Sequence, residues 1–225
     1  MGLGEVCMKR RDALASLAVL SVGAVLGAVF GPPLRGTSPG SAAGLLGHRG
    51  GKAAVADVVL RTHENRSVRF YDDLLKGRTV ILGFMYSRSS QLCPLQTANL
   101  RRVQKLLGNR VGRDLFFYSL TLRPEEDTPD ALKDYAHEHN VGPGWLFLTG
   151  ASEDIELLRR WLGFYDPDPA IDADSSRHVG MILLGNEALQ HWTFCPALSE
   201  PEEIVNQLNW NVPGRPSRPV SRVLV

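Results

Sequence analysis

The stretch RTVILGFMYSRSSQLCP, residues 78–94, decides how the rest of the chain is read. Its first half is a nearly continuous apolar run, the pattern of a strand buried on both faces. Its second half is a polar loop ending on Cys93-Pro94, and proline suits the first turn of a helix. Leu100, Val103 and Leu107 follow at helical spacing and predict an amphipathic helix starting at Cys93. A strand running through a short loop into a helix puts Cys93 where unpaired backbone N–H groups and the helix dipole favour an anion. A thiol in that position is expected to have a lowered pKa and to act as a nucleophile or a soft metal ligand.

The flanking sequence extends the pattern. DVVLRTHENRSVRFYDD predicts a hairpin around HENRS, and DLFFYSLTL predicts a second buried strand. Thr128-Pro129 caps a helix with Leu132, Tyr135 and Ala136 on one face. WLFLT is a short third strand, and Ser152 is placed to cap the helix carrying Ile155, Leu158 and Leu162. HVGMILLGNEALQHWTF reads as two strands joined by a tight turn at Gly185-Asn186. Ser199 and Glu202 have capping-box spacing before a last helix. Strands alternating with helices, closed by a hairpin and a helix, give a three-layer α/β fold: a mixed sheet with helices on both faces.

Length and charge bound the function. The 225 residues, 44% hydrophobic with a net charge of +1, suffice for one domain with extensions and lack the basic excess of a nucleic-acid binder. Lys9-Arg10-Arg11 precede an uncharged apolar run over residues 13–30, followed by GPPLRGTSPGSAAG. This order predicts an export signal of twin-arginine type or a membrane anchor over residues 1–31. A flexible linker (32–54), the folded domain (55–210) and a mobile Pro/Arg/Ser-rich tail (211–225) complete the expected organisation. Export places the domain outside the cytoplasm, secreted or tethered to the membrane, where thiols are paired, metal-bound or protected. Cys7 belongs to the signal, which leaves Cys93 and Cys195.

The segments VRFYDDLLKGRTVILGFMYS, CP, LTLRPEEDTPDALKDYA and HVGMILLGNE, in that order, resemble the Sco/SenC family over residues 58–208. The resemblance implies a thioredoxin-like fold and a copper-binding metallochaperone of cytochrome c oxidase assembly. The family's usual site is a Cys-x-x-x-Cys-Pro loop with a distant histidine. By this resemblance Cys93 is the second cysteine, His178 the histidine, and Ser89 stands where the first cysteine belongs. Serine supplies a neutral hydroxyl, a poor donor for Cu(I), and cannot close a disulfide with Cys93. Arg123 is a second departure, at a position where the family often has an acidic residue. Implied partners are a copper-accepting respiratory oxidase subunit or another copper chaperone.

Cys195 adds a further candidate. A two-residue turn at Gly185-Asn186 would set residues 176–178 opposite 193–195, with Cys195 beside His178. Cys195 then either packs at a strand end or supplies another sulfur to a copper site of Cys93, His178 and Cys195. Two alternatives stand beside copper delivery: an extracytoplasmic thiol-disulfide redox protein acting through Cys93, and an assembly factor that has lost its site. His48, His63, His137, His139 and His191 carry no ligand pattern. The Asp-rich stretch before His178 lacks calcium-loop spacing and is expected to be solvated.

Overall fold

The computed structural model describes Val55 and residues 57–174 and 180–210. The expected signal or anchor, the linker up to residue 54, the tail from residue 211, and His178 lie outside the described residues. Among the described residues no helix is long and apolar enough to cross a membrane.

The chain begins with the antiparallel hairpin β1 (Val59–Thr62) and β2 (Ser67–Arg69), joined by the HENRS turn with Asn65 at φ 59°. A π-helical turn, Phe70–Leu75, leads into β3 (Thr79–Met85), and α1 (Leu92–Leu107) follows. The rest is β4 (Leu115–Thr121), α2 (Pro129–Glu138), β5 (Trp145–Thr149), α3 (Ser152–Trp161), the short α4 (Pro169–Asp172), β6 (Met181–Asn186), β7 (His191–Pro196) and α5 (Pro201–Trp210). The seven strands lie in the order β2-β1-β5-β4-β3-β6-β7. β3, β4 and β5 run parallel and the outer pairs antiparallel, so the sheet is mixed, as expected.

Every residue of β3 is buried, because the sheet is covered on both sides. Ile81 and Met85 face one core layer with Leu100 and Val103 of α1, Leu132 and Tyr135 of α2, and Ile204 and Leu208 of α5. Val80, Leu82 and Phe84 face the other, with Phe70 and Leu74 of the π-helical turn and Ile155 and Leu158 of α3. Alternation along one strand thus assigns α1, α2 and α5 to one side and α3 to the other. The parallel strands β3 and β4 end together at Met85 and Thr121, the end of an α/β sheet where ligands are usually held.

Thr128 caps α2 as expected, its hydroxyl accepting from Ala131 N at 3.2 Å. Thr128→Ala is expected to cost about 1 kcal/mol, read as a lower denaturation midpoint with an unchanged slope. Two other caps differ from expectation. Ser152 is the first residue of α3, which Ala151 precedes as cap. The Ser199 hydroxyl accepts from the Cys195 thiol at 3.7 Å, and α5 starts only at Pro201.

The β6–β7 register corrects a larger expectation. Gly185 and Asn186 lie in the strand, paired with Trp192 and His191, and residues 187–190 form the turn. The glycine is there for space: a Cβ on Gly185 would sit 2.0 Å from the Trp192 ring. The turn's left-handed residue is Gln190, at φ 52°, and Asn186 Oδ1 accepts from Leu189 N at 3.0 Å. Cys195 is therefore paired with Ile182, four residues beyond His178 in sequence.

Candidate metal site

Cys93 is the second residue of α1, and its side chain is 0% exposed. The loop from Tyr86 to Gln91 folds back over it, with Ser89 N donating to Tyr86 O at 3.3 Å. Ser89 Oγ accepts from Cys93 N at 3.4 Å, and its hydroxyl also hydrogen-bonds the thiol. Ser89 thus lies directly against Cys93 and supplies the helix start with an acceptor that Gln91, the N-cap, does not. One turn along α1, Thr97 Oγ1 and Tyr135 Oη share a hydrogen bond of 2.9 Å that joins α1 to α2.

Burial is the largest influence on the Cys93 thiol. Desolvation pushes the thiol pKa up, and Asp127 adds to the rise. Hydrogen bonds from Ser89 and the Tyr86 backbone, and the Arg123 charge, oppose it without prevailing. The expected lowered pKa is corrected on this ground: burial, which disfavours the thiolate, is the largest cause and the shift is upward. The resting thiol is protonated, and a metal must displace its proton.

The loop is fixed from the β4 side by Asp127, which is 1% exposed. Its carboxylate accepts from Ser87 N at 3.1 Å, from the Ser87 hydroxyl, and from Thr121 Oγ1 at 2.5 Å. Arg123 lies outside this tie, its guanidinium 4.4 Å from the centre of the Tyr86 ring and 3.5 Å from Glu126. Arg123 thus packs on Tyr86, the first residue of the loop against Cys93.

Cys195 occupies the same core layer as Cys93, and both are free thiols. Their neighbours differ. The Cys195 thiol donates toward Pro196 O at 3.5 Å and Ser199 Oγ at 3.7 Å, and burial raises its pKa, with Ser199 and Glu203 as its other influences. Its strand is two positions from β3 in the sheet. Among the described residues no three His, Cys, Asp or Glu side chains are grouped to hold a metal.

The residues on either side of the undescribed segment are firmly held. Asp172 is buried against Arg159 at 2.7 Å and bonds Arg160 at 3.1 Å, so part of the Asp-rich stretch is packed instead of solvated. Asp168 caps α4 through Ala170 N at 2.9 Å, a role that Asp-Pro announces in sequence. On the far side, Gly180 N donates to Gln96 Oε1 at 3.0 Å. Sequence reading missed Gln96 and Asp127. Gln96 left a signal, a polar residue on the inward stripe of α1; Asp127 left none within the solvated-looking run EEDTP.

The SCO1/SenC family model matches residues 49–212. A Stutzerimonas stutzeri protein named as a candidate copper-binding protein is 31% identical over 117 residues, which cover 51% of this chain and 56% of that one. A SCO2-like protein of Rickettsia felis is 28% identical over 150 residues, covering 63% of this chain and 70% of its own. The chain thus spans little more than half of the first relative's length. The crystal structure of yeast Sco1 with copper bound is similar in fold, with a TM-score of 0.53 at 20% identity, over 69% of this chain and 92% of that one.

Proposed function

We propose, for a chain that belongs to the SCO1/SenC family, that it takes up copper through Cys93 and His178 and passes it on during assembly of a respiratory oxidase. The observation that carries this reading is the Ser89–Cys93 contact at the end of β3. The reading takes Ser89, four residues before Cys93, as standing where the family carries its first cysteine, and the contact between the two supports it. The donors fit the softer ion: a thiolate and an imidazole suit Cu(I), and a neutral hydroxyl adds little. Copper is the cargo in this reading, released when an acceptor's thiol exchanges with the Cys93 sulfur. Because Cys93 is fully covered, the loop over it has to move aside for copper to enter.

The acceptor is a copper-binding oxidase subunit or another copper chaperone, met outside the cytoplasm, where residues 1–31 direct or anchor the domain. The reading takes Cys93 and His178 as the holding pair and leaves out Cys195, whose thiol donates to Pro196 O and Ser199 Oγ instead. Cys195→Ala is expected to leave Cu(I) affinity unchanged; a clear loss would make it the third ligand. The test of the whole reading is anaerobic Cu(I) titration of the full chain in competition with a chromophoric chelator. One equivalent should bind, and Cu(II) should bind more weakly. Lack of saturable Cu(I) binding would favour an assembly factor without a site, and equally tight binding of both ions would sink the Cys/His ligand pair.

A further inference from the structure

Gln96 is 2% exposed and lies three residues after Cys93 on the inward side of α1. Its amide spans two backbones. Nε2 donates to Phe84 O at 3.3 Å, near the end of β3, and Oε1 accepts from Gly180 N at 3.0 Å, just before β6. The β3–β6 ladder has its last rung at Gly83 and Ile182. Beyond that rung the glutamine side chain stands between the two backbones and satisfies one group from each. The amide can do this because it carries a donor and an acceptor together.

Two glycines make room for this arrangement. A Cβ on Gly83 would come 3.3 Å from Gln96 Nε2 and 3.2 Å from Ile182 Cγ2. Gly180, at φ +96°, would bring a Cβ 3.3 Å from Leu92 Cδ2. Leu92 and Gln96, on either side of Cys93 in the helix, thus both meet Gly180. Its carbonyl is held from β7 as well, accepting from Ala197 N at 2.7 Å.

From this geometry we infer that Gln96 is a positioning residue that sets the spacing between the proposed copper ligands, an inference that rests on the Cys93/His178 reading. Gly180 is two residues after His178, so the segment bearing the histidine joins the sheet at a point gripped by Cys93's own helix. Gln96 bonds the backbones of Phe84 and Gly180. It acts by making the start of α1 and the entry to β6 one rigid unit.

The test measures Cu(I) affinity of the full chain by chelator competition, with thermal unfolding of the metal-free protein alongside. Gln96→Leu is expected to weaken Cu(I) binding about 10–100-fold, the usual effect of removing a group that orients a ligand. Gln96→Met keeps the length of the side chain and removes both hydrogen bonds; it should weaken binding too, and it serves if the leucine variant does not fold. Combining either change with His178→Ala should cost little beyond His178→Ala alone, because spacing no longer matters once the histidine is gone. A purely structural role would lower the unfolding temperature and leave the affinity losses additive. Wild-type affinity in a folded Gln96 variant, or full additivity, overturns the spacing role alone. Wild-type affinity in His178→Ala overturns the ligand pair, and the spacing role with it.

Discussion

Cys93→Ser is expected to weaken Cu(I) binding by at least about 100-fold, or roughly 2.7 kcal/mol, while the chain stays folded. The proposed pair contains one sulfur, and serine in its place leaves two neutral hydroxyls beside one imidazole, a poor set for a soft ion. The fold should tolerate the change. A hydroxyl at a fully buried position costs roughly 1–3 kcal/mol when unpaired, but Ser89 Oγ is already adjacent and can partner it. The pH dependence gives a second readout. Burial holds the Cys93 pKa above its ordinary value, so at neutral pH copper must displace a proton. Apparent affinity should therefore rise about tenfold per pH unit below the thiol pKa, and Cys93→Ser should remove that slope. Retained tight binding in the variant would move the site away from Cys93.

The features of the fold that were legible share one property: each is repeated along the chain. Seven consecutive buried residues in β3 and the Leu100, Val103 and Leu107 stripe of α1 state burial several times over, so one ambiguous position cannot mislead. The β6–β7 turn rested on a single glycine. Gly185 as a turn residue and Gly185 as space for the Trp192 ring look alike in sequence, and only the long-range contact separates them. The charge state of Cys93 was hidden for a similar reason. Its helix N-terminus is a local property, visible from Pro94, whereas its desolvation depends on α2 and on the overlying loop. Asp127 and Asp172 show the same limit for carboxylates. Both look solvated among other acidic residues, yet one ties Ser87 to Thr121 and the other is buried against Arg159.

Ser89→Cys should convert this site into a two-sulfur one, with opposite consequences in oxidising and reducing solution. Ser89 is 9% exposed, and its Oγ already contacts Cys93 N at 3.4 Å and bonds the thiol. A sulfur on the same Cβ lands within bonding reach of the Cys93 sulfur, provided the Cα atoms lie within the usual 4.4–6.8 Å or so of a disulfide. The loop is already held in this place, Ser87 by Asp127 and Ser89 N by Tyr86 O, so the new sulfur takes the position of Oγ. Under an oxidant such as a glutathione disulfide couple, the variant should lose both thiols to alkylation and gain a reducible link; the wild type should do neither. Reduced and without oxygen, it should bind Cu(I) about tenfold or more tighter, at least roughly 1.4 kcal/mol, because thiolate replaces hydroxyl next to the existing ligand. Copper loading and disulfide closure then compete for the same two sulfurs, so Cu(I) should protect the variant from oxidation. A disulfide without a gain in copper affinity would favour the thiol-redox reading of this loop. If neither appears, Ser89 does not occupy the place of the missing ligand, and its contact with Cys93 serves only to start the helix.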